Sequence, residues 1–134
     1  MLRVIDLMQK DVRTIDEDAM VSDAILLLAD GHVGGLPVLN GHRQLVGIIS
    51  TSDILAAEAE TGDGEALSRV ATHTRVGDLM TPHPKTIAPD APVKLAAQEM
   101  LYLDVHRLLV VEDSTLMGVI SQSDIVRAVA GGLI

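Results

Sequence analysis

The stretch Leu45-Val46-Gly47-Ile48-Ile49-Ser50-Thr51-Ser52-Asp53-Ile54 has a counterpart 71 positions later, Leu116-Met117-Gly118-Val119-Ile120-Ser121-Gln122-Ser123-Asp124-Ile125. A chain that ends two apolar runs in the same Ser-x-x-Asp builds the same local structure twice. Each β-branched run reads as a buried strand, and each Ser-x-x-Asp reads as the start of the next helix. A hydroxyl and a carboxylate therefore lie at a strand-to-helix turn in both copies.

The repeat extends over most of the chain. A shift of 72 residues pairs Val4, Asp6, Leu7 and Met8 with Val76, Asp78, Leu79 and Met80, and Thr14-Ile15 with Thr86-Ile87. It also pairs Val33, Leu36 and Val38 with Val105, Leu108 and Val110, before a one-residue deletion between Leu39 and Leu45 changes the shift to 71. The deletion falls in a turn, where changes of length are best tolerated.

Each repeat reads as strand, helix, strand, strand, helix. The first strands are expected at Val12 to Ile15 and Lys85 to Ile87, and the first helices at Val21 to Asp30 and Pro92 to Tyr102. In each repeat a hairpin follows, across Asn40-Gly41-His42-Arg43 and across Glu112-Asp113-Ser114-Thr115; Asn-Gly is a strong turn signal. Closing helices are expected near Ser52 to Ala59 and Ser123 to Ala130. Residues 1–59 and 76–134 form the repeats. Residues 60–75 join them, with a glycine-bearing loop at Glu60 to Glu65 and a short helix near Ala66 to Ala71.

With 134 residues in all, neither repeat holds a core large enough to stand alone. The expected fold is α+β: two β-α-β-β-α repeats packed on each other about a pseudo-two-fold axis, leaving two related clefts.

Composition narrows the function. Nineteen acidic against ten basic residues give a net charge of −9, a field that repels nucleic acid and anionic membrane. One Tyr and no Phe or Trp leave no aromatic platforms for base stacking. The absence of cysteine removes disulfides and thiol chemistry, and no run approaches a membrane span, so a cytoplasmic protein is expected. His32, His42, His73, His83 and His106 have no metal-ligand spacing, and no serine stands in Gly-x-Ser-x-Gly. Nothing argues for an enzyme.

The chain resembles the cystathionine-β-synthase (CBS) domain family in its tandem form, the Bateman module. The resemblance rests on Asp6-Leu7-Met8, Asp78-Leu79-Met80-Thr81-Pro82, Gly35-Leu36-Pro37-Val38 and the two Gly-h-h-Ser-x-x-Asp ends, h being apolar. The second repeat is similar to the last repeat of the γ subunit of AMP-activated kinases. The resemblance implies a regulatory module that binds an adenosine compound in the cleft between repeats and reports it to an enzyme or transporter. AMP, ADP or ATP is the expected ligand, with S-adenosylmethionine or NAD as alternatives. It also implies a homodimer forming a four-repeat disc. A ligand-free interaction module is the competing expectation.

Asp53 and Asp124 are the leading site candidates, since a carboxylate accepts from both hydroxyls of a ribose. Ser50, Ser121 and Ser123 add hydroxyls. Ser-x-x-Asp is equally a helix-capping pattern, and both roles fit together. Gly47 and Gly118 mark a close approach by backbone or ligand, or a tight helix crossing. By the resemblance, His106 and Arg107 face phosphate, with donors suited to it; a solvated pair is the plainer alternative. Gly34-Gly35 replace that pair in the first repeat, so a tight site at Asp124 and a weaker one at Asp53 are expected. Lys85 and Arg13 occupy equivalent positions, and His83-Pro84 precede Lys85 where the family lines adenine; exposed edge residues are the alternative for all four.

Overall fold

The computed structural model of the chain describes residues 1–31, 33–61 and 71–134. Most of the helix expected near Ala66 to Ala71, and His32, lie outside the described residues. The described chain forms two compact units, and they do not coincide with the sequence repeats. One unit is Arg13–Pro84; the other joins Met1–Val12 to Lys85–Ile134.

Within Arg13–Pro84, β1 (Ile15–Asp16) runs parallel to β2 (Gly35–Leu39), which pairs antiparallel with β3 (Leu45–Ser50). Helix α2 (Val21–Gly31) links β1 to β2, and α3 (Thr51–Thr61) follows β3 without a break. The first strand is shorter than Val12 to Ile15 and sits later, because only Ile15 and Asp16 reach a partner strand. Helix α3 continues into Glu60 and Thr61, which the glycine-bearing joint had suggested as loop.

At the hairpin, Asn40 organises the turn: its Oδ1 accepts from the His42 and Gln44 amides, both at 2.9 Å. Arg43, not Gly41, takes the left-handed backbone, and the ladder carries a bulge at Val38/Leu39 that recurs at Val110/Val111 in the other unit, so the extra residue is accommodated in the turn itself. The sheet buries Ile15, Leu36, Val38 and Ile49 against Val21, Ala24 and Leu28 of α2.

A fourth strand comes from beyond the joint. Helix α4 (Val76–Leu79) is one turn long, and β4 (Thr81–Pro82) after it pairs antiparallel with β3. One turn is too short to persist unaided. Its first amides are satisfied from outside, Val76 donating to the Ala19 carbonyl and Gly77 to that of Glu17, both at 2.8 Å.

The other unit repeats this plan. Strands β5 (Thr86–Ile87), β6 (Arg107–Glu112) and β7 (Thr115–Ser121) form a sheet in that order, with α5 (Val93–Leu103) between β5 and β6 and α6 (Gln122–Ala130) after β7. Pro92 is the N-cap of α5 rather than its first residue. The deletion leaves a two-residue turn, Asp113-Ser114, with both residues at positive φ, the geometry that suits a tight hairpin. Here the extra element is the chain's beginning: α1 (Val4–Leu7) donates from Val4 to the Ala91 carbonyl and from Ile5 to that of Pro89. Gln9 then bridges Val119 of β7. The Asp-Leu-Met segment of each sequence repeat thus completes the sheet of the other repeat.

This crossing accounts for the strand glycines. A Cβ at Gly118 would lie 2.5 Å from the Gln9 carbonyl oxygen, and one at Gly47 would lie 2.5 Å from Met80 Sδ and 2.9 Å from the Thr81 carbonyl oxygen. The close approach is made by the crossed segment, through the Gln9 and Thr81 carbonyls and the Met80 side chain. Gly118→Ala is therefore expected to destabilise the fold by about 1–3 kcal/mol, seen as a lower thermal midpoint. Gly41→Ala, which would meet nothing within 4 Å, should melt like the wild type.

Candidate functional site

Both Ser-x-x-Asp sequences close a capping box at the start of the helix that follows a strand. In the first, Asp53 Oδ2 accepts from the Ser50 amide at 2.8 Å and from the Ser50 hydroxyl at 3.0 Å, while the Asp53 amide donates back to Ser50 Oγ at 3.2 Å. In the second, Asp124 Oδ2 accepts from the Ser121 amide at 2.8 Å, and the Asp124 amide donates to Ser121 Oγ at 3.2 Å. Capping accounts for one oxygen of each carboxylate and leaves Oδ1 for other partners.

The two Oδ1 atoms differ in what they hold. Asp53 Oδ1 accepts from the Thr81 hydroxyl at 2.8 Å. Asp124 Oδ1 accepts from Gln9 Nε2 at 3.1 Å and from the Arg127 guanidinium one turn along α6. Gln9 and Thr81 are equivalent under the 72-residue shift and arrive on the crossed segments. Where Arg127 stands, the first repeat has Ala56. Asp124 is 5% exposed, the one charged residue in the core among those described, whereas Asp53 is half-buried.

Burial pushes the Asp124 carboxyl up. Hydrogen bonds from the Ser121 amide, the Gln9 amide and the Ser121 hydroxyl, with the charge of Arg127, outweigh that and hold it below its ordinary value.

Three of the expected basic site residues lie at the end of the sheet from which the Asp124 helix starts. Arg107 lies opposite Ser121 in the β6–β7 ladder, and the Gln122 amide donates to the His106 carbonyl at 2.9 Å. Lys85 immediately precedes β5, which runs parallel to β6 with Thr86 opposite Leu109. Lys85, His106 and Arg107 are exposed there, as is Ser123 in the first turn of α6.

In the other unit Gly34 and Gly35 reproduce the backbone of that end: Gly35 lies opposite Ser50, and the Thr51 amide donates to the Gly34 carbonyl at 3.1 Å. Arg13 is exposed before β1, and its guanidinium lies beside Gly31 at the end of α2. His83, at positive φ, and half-buried Pro84 follow β4. His83-Pro84 and Lys85, neighbours in sequence, belong to different units.

Gln9, Thr81 and Arg127 had not been singled out from the sequence. The shift aligns Gln9 with Thr81, but their side chains differ, so a search for identities passes over them. Arg127, three residues beyond Asp124 on a helix, was the legible signal. Among the described residues no group of three or more His, Cys, Asp or Glu side chains could hold a metal ion, and no helix is long and apolar enough to cross a membrane.

Known proteins resemble this chain in sequence and in fold. The CBS domain family profile matches residues 4–60 and 76–131. The chain is 29% identical to the CBS domain-containing protein CBSX1, chloroplastic, of Arabidopsis thaliana, over 90% of this chain and 60% of that protein. It spans about 60% of the length of the curated relatives CBSX1 and CBSX2. Among solved structures it superposes on CBSX2 in complex with AMP at 31% identity and a TM-score of 0.80, covering 100% of both chains. The CBS domain pair of protein MJ0100, in complex with 5′-methylthioadenosine and S-adenosyl-L-methionine, superposes at 26% identity and a TM-score of 0.76, covering 98% of both.

A carboxyl held low in the folded state stabilises the fold above the ordinary carboxylate value, and that contribution disappears as pH falls through the folded value. Asp124→Asn should be less stable than wild type at neutral pH. In denaturant titrations the gap should narrow as pH falls below about 4.

Proposed function

The chain belongs to the CBS domain family and carries two CBS domains in tandem, and from that premise we propose that it is a regulatory module binding AMP, ADP or ATP. The observation that carries this reading is one end of the β5-β6-β7 sheet. There a carboxylate at the start of a helix stands at the same end as Lys85, His106 and Arg107, in a protein of net charge −9. A nucleotide needs both kinds of group, an acceptor for the ribose diol and donors for phosphate.

In this reading Asp124 takes the ribose hydroxyls with Ser121 and Ser123 beside it, and His106, Arg107 and Lys85 face the phosphates. Asp53 and Ser50 do the same work in the other unit, with Arg13, His83 and Pro84 as its further lining. Gly34 and Gly35 supply no cation there, so the Asp53 site is the weaker one for a charged nucleotide. The AMP complex of CBSX2 supports the choice of ligand class.

S-adenosylmethionine is the second reading, favoured by the MJ0100 complex. It shares the ribose but not the phosphate, so Arg107 would be dispensable for it. Occupancy passes to a regulated enzyme or transporter by shifting a conformational equilibrium.

The module also self-associates in this reading, as a homodimer. Leu101 and Tyr102 of α5 and Val126 and Val129 of α6 are large apolar residues at 78%, 87%, 65% and 55% exposure, a face suited to a second copy. Light scattering should find a dimer, and Val126→Asp should shift it toward monomer; a wild-type monomer at high concentration would refute the association.

Calorimetric titration with AMP tests the ligand. Asp124→Asn is expected to weaken the tighter event roughly tenfold or more, through loss of charge-assisted hydrogen bonds. Arg107→Ala should weaken AMP while sparing S-adenosylmethionine. No heat and no thermal shift with millimolar AMP, ADP or ATP would refute the nucleotide reading.

A further inference from the structure

A carboxylate has about four lone-pair positions, two on each oxygen. At Asp124 both positions on Oδ1 are taken, one by Gln9 and one by Arg127, while Oδ2 faces the Ser121 amide. At Asp53 the single donor to Oδ1 among the described residues is the Thr81 hydroxyl. Gln9 and Thr81 fill equivalent places, and the additional donor at Asp124 traces to one substitution between repeats, Arg127 against Ala56. Arg127 meets Asp124 through its guanidinium, and its side chain is 68% exposed, while that of Asp124 is 4% exposed.

We propose that Arg127 is a positioning residue that controls ligand access to Asp124, its guanidinium occupying the carboxylate oxygen that a ribose diol would use. The proposal rests on the adenosine reading above and adds a residue to it. A diol arriving at Asp124 displaces the guanidinium, and the released side chain swings outward on α6 with no backbone change, because most of it is already exposed. Binding at Asp124 therefore breaks an internal ion pair, and binding at Asp53 breaks none. The two sites differ in gating as well as in phosphate contacts.

AMP titration by calorimetry in an Asp53→Asn background reads the Asp124 position alone. Arg127→Ala is expected to tighten AMP there roughly tenfold, the scale of a hydrogen bond to a charged group. Arg127→Gln, which keeps an amide donor and removes the charge, is expected to tighten it by less, and it serves where the alanine variant folds poorly. A purely structural role for Arg127 would weaken AMP or leave it unchanged, and that result in both variants overturns the proposal. A tenfold gain from Arg127→Ala in an Asp124→Asn background would overturn it as well, since the effect would not act through Asp124. AMP binding in wild type with no gain in either variant removes the role of Arg127 and leaves the adenosine reading standing. Absence of AMP binding in wild type and both variants removes both.

Discussion

At Gly47 and Gly118 an extended segment comes closer to a strand than any Cβ would permit, and much of the structure follows from that approach. The segment bridges the strand edge, its preceding methionine enters or borders the core, and the one-turn helix before it is held by carbonyls it could not supply itself. The same contact delivers Gln9 to Asp124 and Thr81 to Asp53. Sheet completion and the surroundings of the two carboxylates are one arrangement. A side chain at either glycine would disturb both.

That dependence gives the Ser-x-x-Asp turn two functions at once. One carboxylate oxygen closes the helix, and the other accepts from the crossed segment, Thr81 at Asp53 and Gln9 at Asp124. The second oxygen is where the repeats have diverged. Thr81 offers a neutral hydroxyl, and Gln9 with Arg127 offers an amide and a charge, so equal backbones carry unequal electrostatics.

Much of this was legible in the sequence. The two strand-and-turn copies, the helices near Val21 and Pro92, the hairpins and the Ser-x-x-Asp helix starts follow from period, punctuation and self-comparison, and the structure has each of them within a few residues. Local patterns carry no information about which repeat a segment joins. Asp6-Leu7-Met8 and Asp78-Leu79-Met80 therefore gave no sign that they cross. The crossed partners of Asp53 and Asp124, Thr81 and Gln9, were hidden for the same reason, lying 28 and 115 positions away. Arg43 at positive φ escaped because Asn40-Gly41 is the stronger local signal, whereas the Asn40 side chain, by bonding His42 and Gln44, moved the left-handed position along the loop.

The crossed beginning of the chain also bears on its synthesis. Arg13–Pro84 is continuous in sequence and can close as soon as it has emerged, β4 included. The other unit joins Met1–Val12 to Lys85–Ile134, so its contacts bridge the whole of the continuous unit between them. Such non-local closure slows folding even where the entropic cost of a longer loop grows only slowly. A nascent chain thus assembles one unit while Val4 and Met8, both buried in the finished fold, wait in water for β7 to be translated.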